Sequence, residues 1–354
     1  MPIELKPHNQ IPYEKVKENL RTGTKVAIVH PTGTGKSYIA LKLIEDNKNK
    51  KTVYIAPSNA ILHGIKNNIF ESGLDMADFP NLKRITYQKL MNLTDDEIKK
   101  LKCDYIILDE FHHCGAPEWG NGVNRLLERN PNVKILGLSA TPIRYFDNLR
   151  DMSDEIFEGN VASEMTLEEA IEKGILPEAT YVSTLHGYSE ELENMENNIK
   201  NMSNGVKKKQ AQELFSELRK KLDENTQNLS ELLSTHMKNK NGKYIVFCKN
   251  IEDMKEKVSK ANKMFGDVNE NMNIYSVSSE NDLRKNERIL TKFEKDDSED
   301  TLKLMYAVDM LNEGYHIKGL DGVVMMRPTR SPTTFSQQLG RALSVGNDNV
   351  PVIL

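Results

Sequence analysis

The stretch VAIVHPTGTGKSYIA, residues 26–40, constrains this chain more than any other. An apolar run ends in a glycine-rich turn, and a helix-like run follows. Residues apolar at consecutive positions must be buried on both faces, which is the condition of a strand inside a parallel sheet covered by helices. Gly33 and Gly35 permit backbone conformations and a close approach that a side chain would block. The amides of such a turn, at a helix amino end, cradle phosphate. Thr32, Gly33, Thr34, Gly35, Lys36 and Ser37 are therefore candidate phosphate-binding residues, with Lys36 reaching the β- and γ-phosphates and the Ser37 hydroxyl on Mg2+. The strict pattern G-x-x-x-x-G-K-[ST] fails only at its first place, where His30 stands.

Further apolar runs follow at TVYIAPS (52–58), RITY (84–87), DYIILDE (104–110) and VKILGLSATP (133–142), separated by helix-like stretches such as SYIALKLIEDN and GVNRLLERN. Residues 187–241 then change character: proline is absent, charges are dense, and leucines and Phe215 recur at helical spacing. The strand–helix alternation resumes with YIVFCKN, NIYSVSS, LKLMYAVDM, DGVVMM and VPVIL. At 354 residues the chain exceeds one ordinary core. The pattern predicts two α/β lobes with mostly parallel sheets, over 1–160 and 242–354, joined by a linker and helical insertion over 161–241. VPVIL reads as a closing strand, where a truncation is expected.

The formal net charge of −4 gives no bulk attraction for nucleic acid, so such a partner has to be held by local patches. Three scattered cysteines argue for a reducing, intracellular setting. The amino terminus has no basic start followed by an apolar core, and no apolar run reaches the length of a membrane span. A cytoplasmic protein without membrane contact is the expectation.

CDYIILDEFHHCGAPEWG (103–120) crowds acids, histidines, cysteines and the only tryptophan together. A buried strand ending in LDE sets Asp109 and Glu110 at its carboxyl end, where open α/β sheets bind ligands. Beside a phosphate loop, Asp109 suits Mg2+, held through water, and Glu110 suits orienting and deprotonating an attacking water. A zinc set would recruit His112, His113, Cys114 and Cys103. Consecutive residues rarely converge on one ion, and no C-x-x-C or H-x3-H pair completes a tetrahedron. Cys114 beside His113 as a nucleophile pair is an adjacency that chance supplies readily.

HPTGTGKS and LDEFH resemble motifs I and II of superfamily 2 helicases in their DExH form. APSNAIL (56–62) and TYQKL (86–90) are similar to motifs Ia and Ib, and LSATP (138–142) to motif III. IVFCKN resembles motif IV, AVDMLNEGYHI (307–317) motif V and SQQLGRALS (336–344) motif VI. The likeness spans nearly the whole chain and is strongest to bacterial DEAD/DEAH-box proteins related to restriction-enzyme motor subunits. It implies two RecA-like P-loop NTPase lobes with ATP and Mg2+ in the cleft between them. It assigns Lys36, Asp109 and Glu110 to catalysis, with Gln337 and Arg341 facing the γ-phosphate and Gly314, near Glu313, in motif V. His112, Ser139 and Thr141 become coupling residues between the nucleotide and the second lobe. An adenine-reading glutamine is expected upstream of motif I, where Asn9 and Gln10 both lie, and Gln10 is the candidate. Motif VI departs from Q-R-x-G-R-x-x-R at Gln338 and Ser344, and His316 replaces a frequent aspartate in motif V.

The resemblance implies an ATP-dependent helicase or translocase acting on DNA or RNA, with DNA favoured. A nucleotide-gated clamp or scaffold with little turnover is the alternative, as is the motor fragment of a restriction or defence complex. Lysines at 48–51, 99–102, 207–209 and 219–221 are candidate strand contacts, each against a reading as solvated surface. Trp119 and Phe111 read as packing residues.

Overall fold

The computed structural model describes residues 2–144, 150–178, 180–182, 195–202, 205–225, 229–308, 317, 319–327 and 352–353. In chain order the first sheet uses β1 (Lys25–Val29), β2 (Thr52–Ala56), β3 (Leu82–Thr86), β4 (Tyr105–Asp109) and β5 (Lys134–Ser139). A short antiparallel ribbon, β6 (Ile143–Arg144) with β7 (Arg150–Asp151), comes next, and β8 (Val161–Glu164) then returns to the sheet. The spatial order is β3-β2-β4-β5-β1-β8, and every pairing is parallel.

Parallel neighbours need long crossovers, and helices supply them. They are α2 (Lys36–Asp46), α3 (Asn59–Glu71), α4 (Tyr87–Met91), α5 (Asp95–Lys99), α6 (Pro117–Arg129) and α7 (Met152–Phe157), while α1 (Pro7–Thr22) precedes β1 and α8 (Leu167–Glu172) follows β8. Successive strand residues point to opposite faces, so each strand feeds two cores. Val26, Ile28, Tyr54 and Ile107 pack under α1, α2 and α3, whereas Ala27, Val29, Ile55 and Ile106 pack under α4 and α6. That division explains why the strands read as unbroken apolar runs. At Gly137 of β5 a Cβ would fall 2.2 Å from Phe157 and 2.9 Å from Phe111, so glycine makes room for their edge-to-face pair at 4.9 Å.

The second sheet is also parallel, ordered β11-β12-β10-β13-β14-β9. Its strands are β9 (Thr180–Tyr181), β10 (Lys243–Cys248), β11 (Met272–Val277), β12 (Leu302–Ala307), β13 (Gly322–Met326) and β14 (Val352–Ile353). The two α/β lobes expected from the sequence are therefore present.

The stretch 161–241 divides between them. β8 extends the first sheet past residue 160, while Met165, Ala170 and Leu176 enter one core of the second lobe and Leu232 and Leu233 the other. Which core buries an apolar side chain decides the boundary, and composition does not show that. Between them runs the long helix Val206–Asn225, which leaves Leu214 at 70 % exposure. Among the described residues no helix is long and apolar enough to cross a membrane.

Candidate active site

All strands of a parallel sheet finish at one edge, so the segments after β1 to β5 meet there however far apart they lie in sequence. His30 follows β1, and its N–H donates to Ser139 O at 3.0 Å at the end of β5. The glycine turn then forms, with Gly33 at φ +89° and Gly35 at φ +85°, conformations that glycine adopts without penalty. Thr34 Oγ1 donates to Pro31 O at 2.9 Å, and α2 starts at Lys36. The Lys36 ammonium is buried and donates to His30 O at 2.7 Å and Pro31 O at 3.1 Å, curling the loop around it.

The start of α1 braces the loop from outside. Asn9 Nδ2 donates to Thr34 O at 2.9 Å, and His8 Nε2 lies 2.8 Å from the same oxygen. A Cβ on Gly35 would come 3.1 Å from Asn9 Nδ2, so glycine also permits this close approach. The helix is tied to α2 by Tyr13 OH donating to Asp46 at 2.5 Å. The structure does not bring Gln10 to the loop. Gln10 is exposed, and its Nε2 reaches Leu5 O at 3.3 Å, because the helical turn that aims Asn9 inward aims its neighbour out.

His30 is fully buried. Its Nε2 lies 2.8 Å from Ser163 Oγ on β8, and its Nδ1 has no hydrogen-bond partner among the described residues. Burial first, and Lys36 second, hold its pKa down at about 3, so the ring is neutral. The place of the missing first glycine thus ties the loop to the strand that leads toward the second lobe.

Asp109 ends β4, with its carboxylate accepting from Tyr54 OH at 2.5 Å and from Glu110 N at 3.1 Å. Burial first, and the Glu110 charge second, push its pKa up from the usual carboxylate range, against the pull of Tyr54 and Lys36. The Ser37 hydroxyl lies near the same Tyr54 phenol, so this tyrosine stands between the glycine-rich loop and the acidic strand. The donor set fits Mg2+: burial disfavours the Asp109 charge, a divalent cation would restore it, and Ser37 offers a hydroxyl nearby.

Glu110 adopts φ +49°, a left-handed conformation that costs a non-glycine residue roughly 1–3 kcal/mol and persists only where its surroundings over-determine it. Its Oε2 lies 3.3 Å from Ser139 Oγ and 3.4 Å from Ala140 N. Ser139 has one hydroxyl proton, and its shortest acceptor is Thr141 O at 2.6 Å. His112 Nδ1, 2.9 Å from Ser139 Oγ, is therefore the donor in that pair, and it stands 3.5 Å from Glu110 Oε2. Thr141 N returns to Ser139 Oγ at 3.2 Å. His112, Ser139 and Thr141 thus form one hydrogen-bonded unit beside Glu110.

Gly314, Gln337 and Arg341 lie outside the described residues, as do Glu313 and His316. Thr32 sits half-buried in the loop. The lysines at 48–51 and 99–102 precede β2 and β4, placing them at the amino edge of the sheet, opposite the phosphate loop, with Lys50 3.7 Å from Asp104. Tyr54, Tyr87 and Ser163 were missed from sequence. A tyrosine inside a buried strand was the available signal for Tyr54, since its hydroxyl needs a partner.

Residues 2–144 match the family model for the type III restriction enzyme, res subunit, and residues 224–346 match that for the helicase conserved C-terminal domain. Over 136 residues the chain is 34 % identical to putative helicase 22 of Sulfolobus islandicus filamentous virus (isolate Iceland/Hveragerdi), covering 32 % of this chain and 24 % of that protein. It is 28 % identical over 170 residues to the Type I restriction enzyme EcoAI endonuclease subunit of Escherichia coli, covering 43 % and 20 %. The chain thus spans a quarter or less of the length of these relatives. Among solved structures, the ATP-dependent Type ISP restriction-modification enzyme LlaBIII bound to DNA superposes with a TM-score of 0.66 over all of this chain and 28 % of its own, at 18 % identity, a likeness of fold.

Proposed function

The chain belongs to the superfamily 2 helicases related to restriction-enzyme motor subunits, and on that premise we propose that it hydrolyses ATP to move along, or remodel, nucleic acid. The observation that carries this reading is the meeting of the glycine-rich loop with Asp109 and Glu110 at one sheet edge, where Tyr54 holds the Asp109 carboxylate. The loop amides and Lys36 bind the triphosphate, Lys36 exchanging the His30 and Pro31 carbonyls for phosphate oxygens. Ser37 and Asp109 would hold Mg2+, which supplies positive charge against the phosphate oxygens. Glu110 orients water and accepts its proton, its carboxylate steadied by the Ala140 N–H and faced by His112 Nδ1. His112, Ser139 and Thr141 relay the state of that carboxylate outward. On the resemblance, Gly314, Gln337 and Arg341 serve the γ-phosphate from the second lobe.

DNA is the favoured track, in keeping with relatives named for restriction enzymes, and restriction or defence subunits are the favoured partners. The motif VI departures at Gln338 and Ser344 leave Arg341 as the one arginine of that motif, which favours a second reading as a nucleotide-gated clamp with little turnover. One experiment addresses both: steady-state ATPase titrated with matched single- and double-stranded DNA and RNA. Stimulation by DNA, with kcat at least about a hundred-fold lower in Lys36→Ala and Glu110→Gln, is expected. Hydrolysis by Glu110→Gln at the wild-type rate would sink the mechanism, and nucleic-acid binding without turnover would favour the clamp.

A further inference from the structure

The aromatic side chains beside Glu110 form a continuous row of ring contacts, one stacked and two tilted, that the reaction as described does not use. Tyr87, at the start of α4, lies flat against Trp119 of α6, with centroids 5.3 Å apart and planes within 9°. Trp119 in turn meets His113 at 5.2 Å, and His113 meets His112 at 4.3 Å. Both ends of the row reach the surroundings of the Asp109–Glu110 pair. At one end Tyr87 OH donates to Asp109 O at 3.0 Å, the oxygen of the peptide that joins Asp109 to Glu110. At the other, His112 reaches Ser139 Oγ, which stands beside Glu110 Oε2.

Glu110 needs such support. Its left-handed backbone persists only if the residues on either side are held. Phe111 is fixed below by Phe157, and His113 N closes the turn on Glu110 O at 3.0 Å. The outer side of that turn is held by Trp119, which reaches it from a different helix. Close backbone contacts set the tryptophan in place. A Cβ on Gly120 would fall 2.6 Å from Cys114 O, and one on Gly122 would fall 3.1 Å from the Met91 backbone, so α6 presses against both the turn and α4.

The geometry points to Trp119 as a positioning residue for hydrolysis: by stacking on Tyr87 and packing at a tilt against His113 it holds the Asp109–Glu110 peptide and the Glu110 carboxylate in their working arrangement. This rests on the ATPase reading above. A ring that acts through Glu110 affects the chemical step and not the binding of the triphosphate, which the loop and α1 hold separately.

The test compares wild type with Trp119→Phe, Trp119→Leu and Tyr87→Phe in steady-state ATPase. Trp119→Leu is expected to lower kcat by about ten-fold with the KM for ATP within about two-fold, and Trp119→Phe to recover the larger part of that loss. Tyr87→Phe, which keeps the ring and removes the hydroxyl, is expected to lower kcat in the same direction. Because the chain has a single tryptophan, wild-type emission reports the stack directly. A non-hydrolysable ATP analogue with Mg2+ is expected to shift that emission. Unchanged kcat in Trp119→Leu, or a raised KM at constant kcat, overturns the proposal. If wild type hydrolyses no ATP, the ATPase reading fails instead, and an emission unmoved by the analogue then overturns the role of the stack. Should Trp119→Leu fail to fold, Tyr87→Phe and the wild-type emission decide the matter by the same criteria.

Discussion

His30 makes the acid stability of the first lobe a direct test of the site geometry. The ring is wholly enclosed, with Ser163 Oγ on one nitrogen, no partner on the other among the described residues, and Lys36 close by. Charging it inside the fold is therefore unfavourable, first through desolvation and then through Lys36. Its pKa falls from its usual value of 6.5 to about 3. The unfolded chain binds a proton below about pH 6.5 that the folded chain refuses until about pH 3. The stabilisation is thus complete above 6.5 and is lost as the pH falls toward 3. Between pH 7 and pH 5 the loss integrates to about 2 kcal/mol from this one residue. Urea denaturation followed by Trp119 emission reads the first lobe, because the only tryptophan lies there. The comparison is His30→Met, which has no titrating group and leaves Ser163 short of a partner by an amount independent of pH. Wild type is expected to lose about 2 kcal/mol more than His30→Met between pH 7 and pH 5. Parallel pH profiles would refute the reasoning, since they would mean that His30 is either open to water or already charged.

Gly137→Ala is expected to destabilise the first lobe by about 1–3 kcal/mol in the same denaturation assay, because the added methyl must displace Phe157 and Phe111 from the edge-to-face pair. Asn9→Ala is expected to raise the KM for ATP about five-fold, the worth of about one hydrogen bond to the loop. Gln10→Ala is expected to leave it unchanged, since that side chain reaches only Leu5 O. Equal effects of the two substitutions would show that α1 does not brace the loop through Asn9.

Much of the site was legible because its chemistry is written in short segments. A strand, a glycine turn and Lys36–Ser37 are contiguous, and so are β4, Asp109 and Glu110. Tyr54 was not legible in its role. It is one of several apolar-looking residues of β2, and only the side-by-side packing of β2 and β4 brings its hydroxyl to Asp109. Asn9 and Gln10 show the same limit on a smaller scale. They are adjacent and chemically alike, and the facing of one helix decides which meets Thr34. The lysine runs at 48–51 and 99–102 looked equally able to contact a strand of nucleic acid until strand direction put them at the amino edge, opposite the phosphate loop.

By itself the sequence determined that the chain folds as two parallel α/β lobes and that one sheet edge carries a glycine-rich turn and an acidic pair. Runs apolar at consecutive positions leave no other economical burial, and a glycine turn between strand and helix exposes amides wherever it occurs. Only the tertiary structure decided what the non-contiguous side chains do. It gave Tyr54 to Asp109, His30 to Ser163 across 133 positions, and Trp119 to Tyr87 and His113. These partners share no local pattern, because the order of strands in the sheet and the packing of helices over it set which side chains become neighbours.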